Sequence, residues 1–170
     1  GVSCIHLEQA PPPKKQIACT RSFGHPITDL PPLIEAVSEF ASRAAEKLRA
    51  QHLRAGAINV FSHTSPFRPG PRFYKNTTLQ LQPASADTKV LVAAAVRGLR
   101  SFFEPGYRLS KAGVMLLDLT EETVHQADIL EQLESTRDKT RLMEAMDSVN
   151  ARYGKSTLHV ASTGRASEDE

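Results

Sequence analysis

Two stretches of helical periodicity are each set between segments of strand character, and that alternation limits the fold more than any other feature of the chain. Leu33, Val37, Phe40, Ala44 and Leu48 recur at steps of three and four and form one apolar stripe. Asp29 precedes Leu30-Pro31-Pro32, a helix start in which first-turn prolines lose no hydrogen bond, so a helix is expected from there to about Gln51. Asp87 caps a second helix, TKVLVAAAVRGLRSFF, which stops before Pro105-Gly106. Strands are expected at 16–23 (QIACTRSF), 57–64 (AINVFSHT), 73–82 (FYKNTTLQLQ) and 108–119 (RLSKAGVMLLDL). In the third, Thr77, Leu79 and Leu81 alternate with Thr78, Gln80 and Gln82. The Pro/Gly-rich SPFRPGP between the second and third strands suits a hairpin connection. The order β-α-β-β-α-β predicts an α+β fold, with a four-stranded antiparallel sheet and both helices packed on one face. The other face is then bare, and it carries Thr, Ser, Gln, Lys and Arg.

Around this unit at 16–119 the chain divides by composition. Residues 1–15 contain Pro11-Pro12-Pro13 followed by Lys14 and Lys15, a stiff polyproline stretch that reads as an interdomain tether. Residues 120–138 are acidic (Glu121, Glu122, Asp128, Glu131, Glu134) and read as a flexible connector. In 139–170, Leu142, Met146 and Val149 predict a short helix from about Lys139 to Tyr153, closed by Gly154. A short strand at 156–161 and then a disordered tail, GRASEDE, are expected after it. Cys4 and Cys19 are in no metal-ligand spacing, and a pair of reduced thiols suits the cytoplasm. No apolar run approaches the ~20 residues needed to span a bilayer, and no secretory signal pattern opens the chain, so no membrane partner is expected.

The residues offer little for catalysis. There is no Gly-rich phosphate loop and no nucleophile elbow, and His63, beside Ser62 and Ser65, has no third group to complete a triad. Asp118, Glu121 and Glu122 read as solvated charge at a strand end rather than a metal site, so neither a catalytic nor a metal-binding residue is expected. Nucleic-acid binding is the more physical use of the bare face. Lys14, Lys15 and Arg21 lie around the first strand, Arg72, Lys75 and Gln80 around the third, and Arg108 and Lys111 on the fourth. Thr20, Ser22 and Thr78 between them can hydrogen-bond phosphate oxygens. No exposed aromatics are expected among them, which argues against stacking on unpaired bases and for backbone contacts. An ordinary solvated sheet face has the same composition. With a formal net charge of +2, the chain is no polycation.

KKQIACTRSFG, FSHTSPF and YRLSKAGVMLLDL closely resemble the little-finger domain of Y-family translesion polymerases, in the UmuC branch. LMEAMDSVNARYGKSTLHVA resembles the C-terminal extension of the same proteins. The resemblance implies a domain that grips primer–template duplex DNA through backbone phosphates, within an error-prone polymerase of the SOS response. It assigns phosphate contacts to Thr20, Arg21, Ser22, Arg108 and Lys111, with Lys75 and Gln80 also on the DNA-binding surface. The palm that binds catalytic Mg2+ would precede Gly1, so this piece would need no cofactor and would not polymerise DNA by itself. HQADILE falls where such relatives carry a sliding-clamp peptide. Gln126, Ile129 and Leu130 keep its polar anchor and apolar plugs, while Ala127 departs from it. The extension would dock on the domain or contact UmuD-prime or the RecA filament. The alternative role is therefore a protein-interaction platform for clamp, RecA or UmuD-prime, with DNA contact secondary.

Overall fold

The computed structural model describes residues 16–122, 133–155 and 157–161. Its elements are β1 (Ile17–Ile27), α1 (Leu30–Arg49), β2 (Leu53–Thr64), β3 (Tyr74–Ser85), α2 (Thr88–Phe102), β4 (Leu109–Glu121) and α3 (Leu133–Tyr153). The expected β-α-β-β-α-β order of an α+β domain is present, followed by α3. The strands form one sheet in the order β1-β4-β2-β3, and every neighbouring pair is antiparallel. β1 and β2 are consequently parallel with β4 between them, and β3 and β4 are parallel across β2. Each of the first two helices is a crossover that spans one intervening strand. α1 packs chiefly on β1 and β4, and α2 on β3 and β2.

Strand alternation decides which face the helices cover. Ile17 and Cys19 of β1 stand opposite Leu116 and Val114 of β4, which in turn stand opposite Ile58 and Val60 of β2. All six are buried. Leu33, Val37 and Leu48 of α1 and Leu91 and Leu99 of α2 close over them with no exposed surface, each burial worth about 1.5–3 kcal/mol. Small residues let the helices approach. Ala41, Ala44, Ala45 and Ala95 are fully buried, and a Cβ on Gly98 would lie 3.2 Å from Leu79 Cδ1.

Asp87 caps α2 as expected, its carboxylate accepting from the Lys89 N–H at 2.8 Å. Asp29 occupies the N-cap position of α1 but makes no side-chain cap bond; its carboxylate instead accepts from the Thr28 hydroxyl at 3.3 Å. β3 runs beyond the expected Gln82 to Ser85. A register shift between Ala57↔Gln80 and Ala55↔Ser85 accommodates Pro83 there, which an edge strand can tolerate because the missing N–H faces no neighbour.

The C-terminal elements differ most from expectation. α3 begins at Leu133 rather than near Lys139. Among its described side chains Met143 and Asn150 are buried, whereas in the expected stripe Met146 and Val149 are half-buried and Leu142 is 52% exposed. A polar clasp sets this rotation. Arg49, at the end of α1, donates Nε and Nη2 to the two carboxylate oxygens of Asp147, each at 2.6 Å. Its Nη1 donates to Ala86 O at 2.8 Å and Thr88 Oγ1 at 2.9 Å. The expected strand at 156–161 is absent among its described residues. Asn150 takes the place of a ladder partner, donating Nδ2 to Leu158 O at 2.9 Å and accepting from Leu158 N at 2.8 Å.

Asp147→Ala should therefore release α3 while leaving the sheet and its two helices folded, because Arg49 keeps its bonds to Ala86 and Thr88. Hydrogen exchange should rise across 139–153 with little change in β2 or β4. Arg49→Ala, which also strips the α1–α2 junction, should lower the unfolding free energy by about 2–3 kcal/mol.

Candidate nucleic-acid interface

The face of the sheet opposite the helices is built as rungs that cross all four strands. Ser22, Lys111, His63 and Tyr74 are aligned in one rung, and Thr20, Gly113, Phe61 and Asn76 in the next. Ala18, Met115, Asn59 and Thr78 form a third, and Leu117, Ala57 and Gln80 continue it. No Asp or Glu occupies any of these positions. The face is polar and cationic at the Lys111 end and more apolar at the Leu117 end.

Of the residues expected to touch DNA, Thr20, Ser22, Lys111 and Gln80 share this open face. Gln80 stands on β3 six residues from the Lys111 rung, about 20 Å along the strand. Arg108 is exposed immediately before β4. Arg21 and Lys75 have the opposite parity. Arg21 pairs with the buried Ala112, and Lys75 pairs with the buried Ser62. Lys75 reaches along the helix side to form an ion pair with Glu104 beyond α2, and it lies 5.7 Å from the centre of the Phe73 ring. Gln126, Ile129 and Leu130 lie outside the described residues.

The expectation of a face without exposed aromatics is overturned. Tyr74 is 68% exposed, His63 and Phe61 are half-buried, and the three form a row with ring centres 6.0 Å and 6.3 Å apart. The signal was present in the sequence. Phe61 and His63 alternate with Val60 and Ser62, so they had to share the face opposite the core. His63 Nδ1 is 2.9 Å from Thr64 O; a carbonyl only accepts, so Nδ1 carries the proton, and the ring needs a second one before Nε2 can donate to an anion. Asn59 Nδ2 donates to Thr78 Oγ1 at 2.9 Å, fixing the polar surface between β2 and β3. Gly113 leaves a depression that the Phe61 ring and Thr20 methyl fill, since a Cβ there would lie 2.6 Å from each. Among the described residues, no three His, Cys, Asp or Glu side chains stand close enough to hold a metal ion, and no helix is long and apolar enough to cross a membrane.

A family described as the impB/mucB/samB family C-terminal domain matches residues 14–129. The chain belongs to that family. A second family, a domain of unknown function (DUF4113), matches residues 140–168 and so covers most of α3 and the chain beyond it. Protein ImpB of Salmonella typhimurium is 39% identical over 169 residues, 99% of this chain and 40% of that protein. Protein SamB of Salmonella typhimurium is 40% identical over the same shares, and Protein UmuC of Salmonella typhimurium strain LT2 is 37% identical. The chain thus spans about 40% of the length of these curated relatives. Among solved structures, the insertion ternary complex of Dbh DNA polymerase is similar with a TM-score of 0.43 and 11% identity, covering 62% of this chain and 29% of that one. The impB/mucB/samB domain here comprises the sheet, α1 and α2, with the DUF4113 match beginning inside α3.

The Gly113 contact gives a direct check on how the open face is packed. Gly113→Ala should cost about 1–3 kcal/mol by forcing the Phe61 ring aside, seen as a lower midpoint in thermal melts. Adding Phe61→Ala should return part of that loss.

Proposed function

We propose that this chain is the DNA-gripping C-terminal part of an error-prone translesion DNA polymerase, holding primer–template duplex through its backbone phosphates. The observation that carries this reading is the run of open-face rungs from Ser22–Tyr74 to Leu117–Gln80 that hold no carboxylate and are cationic at the Lys111 end, in a chain of the impB/mucB/samB family. Lys111 and the adjacent Arg108 neutralise phosphates. Thr20, Ser22, Asn76 and Thr78 supply short hydrogen-bonding groups between strands. Arg21 reaches DNA only from the sheet edge, and Lys75 only after giving up Glu104. Such contacts follow the backbone and carry no base code, so affinity is expected in the non-specific range, ~10⁻⁴ to 10⁻⁶ M. The nucleotidyl transfer of the whole protein, and the Mg2+ it needs, belong to residues outside this chain.

A second reading makes the region after β4 a protein-docking element. Its support is the apolar surface left open on and after α3, where Leu142, Tyr153 and Leu158 are 52%, 67% and 46% exposed. The proposed partners are a sliding clamp engaged through Gln126, Ile129 and Leu130, and UmuD-prime or RecA engaged by the extension.

Fluorescence anisotropy on a labelled duplex, titrated at several salt concentrations, tests the DNA-gripping role. Log affinity should fall linearly with log salt. Charge reversal, Arg108→Glu with Lys111→Glu, should weaken binding at least tenfold and flatten the slope by about two, whereas Lys75→Ala should change it little. Duplex affinity indifferent to the double reversal would remove this face from the interface.

A further inference from the structure

The connection from β2 to β3 is closed at its base and open at its tip. Thr64 N donates to Phe73 O at 3.0 Å, and Phe73 N donates to Thr64 Oγ1 at 3.1 Å. Phe73 is 5% exposed, with its ring centre 4.8 Å from Tyr107 and 6.4 Å from Phe102. Between these anchors the chain is stiffened by Pro66, Pro69 and Pro71. Gly70 has a φ of +132°, which L side chains rarely adopt. Ser65 ties the turn from both its ends. Its Oγ accepts from Phe67 N at 3.3 Å, and its carbonyl accepts from Arg72 Nη1 at 3.4 Å.

At the tip of this rigid loop Phe67 is 93% exposed, against 68% for the next most exposed large apolar side chain among the described residues, Tyr74. A phenyl ring held in water by a preorganised loop contributes nothing to the fold, and its flanks favour an anionic partner. From Gln51 to Ala86 there is no Asp or Glu. Within that span Arg54 and Lys75 are ion-paired with Glu122 and Glu104. Arg68 and Arg72 have no acidic partner among the described residues. The loop also springs from the cationic end of the open face, since His63, the residue before Thr64, stands opposite Lys111 and Tyr74.

We infer that Phe67 is a base-stacking wedge: its ring packs against an unpaired nucleobase of the bound DNA while Arg68 and Arg72 hold the flanking phosphates. The inference rests on the proposed DNA-binding role and adds a preference for single-stranded character that phosphate contacts cannot supply. Aromatic stacking tolerates any base, because every base presents a π-face. Prolines keep the ring in place, so little conformational entropy is lost on binding.

The test compares the 170-residue chain with its Phe67→Ala and Phe67→Leu variants on three labelled DNAs: blunt duplex, primer–template with a single-stranded overhang, and single strand. Both substitutions should weaken overhang and single-strand binding about tenfold, leaving blunt-duplex affinity and the salt slope unchanged. The chain contains no Trp, so Phe67→Trp provides a clean reporter. It should retain affinity, and its indole fluorescence should be quenched on binding single strand. Equal binding of all three DNAs by parent and Phe67→Ala, or an indole signal unchanged at saturation, overturns the wedge while leaving the phosphate-gripping role intact. A concentration-dependent mass for the parent that Phe67→Ala abolishes, without any change in DNA binding, overturns it in favour of a protein contact. Absence of DNA binding by the parent even at low salt instead removes the proposed function itself.

Discussion

Helix cover on one side only of the two central strands is the constraint on which the rest of the structure depends. Ile58 and Val60 of β2 stand opposite Leu116 and Val114 of β4, and all four are sealed beneath the helices. Between the register shifts the strands alternate regularly, so sealing these residues commits Ala57, Asn59, Phe61, His63, Lys111, Gly113, Met115 and Leu117 to the other side. The crossovers then leave no helix for that side, because each returns to the layer it came from. An open face is thus a necessary consequence of the connectivity. The chemistry of its rungs, free of carboxylates from Ser22–Tyr74 to Leu117–Gln80, is the part that selection could adjust.

The same constraint explains how much of the molecule was legible in its sequence. The stripe Leu33–Val37–Phe40–Ala44–Leu48 and the alternation at 77–82 report burial directly, because each is a period matched to a single covered face. Strand parity carried more information than composition did. Arg21 and Lys75 belong to the helix side, and Phe61, His63 and Tyr74 to the open side, for reasons already implicit in their distance from Cys19, Val60 and Leu79. Counting cations near a strand blurs the two faces. Strand order and the Arg49 clasp were beyond reach, since both depend on pairings between residues distant in the chain. α3 illustrates the limit well. Its most regular apolar stripe is only half-buried at Met146 and Val149 and exposed at Leu142, and the bonds that fix the helix come from Asp147 and Asn150, polar residues that periodicity scores as surface.

Family membership sharpens this picture in an asymmetric way. The impB/mucB/samB match ends at residue 129 and the DUF4113 match begins at 140, so a family boundary falls across the start of α3. Yet α3 is bonded to the body through Arg49, and Asn150 organises the chain just beyond it. The two matched regions are therefore physically joined even though they are recognised separately. The joint is polar, like the transient contacts between domains of one chain.

The position of that joint also decides how the molecule bears mechanical load. Arg49 gathers Asp147, Ala86 and Thr88 around one guanidinium, which links α3 to the end of α1 and to the turn between β3 and α2. A pull applied through the C-terminal chain is consequently shared with that corner of the helical layer, instead of being borne by the end of β4 alone. Peeling β4 from the sheet would require its ladders with both β1 and β2 to fail in sequence, whereas the clasp opens by losing two hydrogen bonds. The clasp can thus act as a mechanical fuse, yielding before the sheet and its open face are deformed.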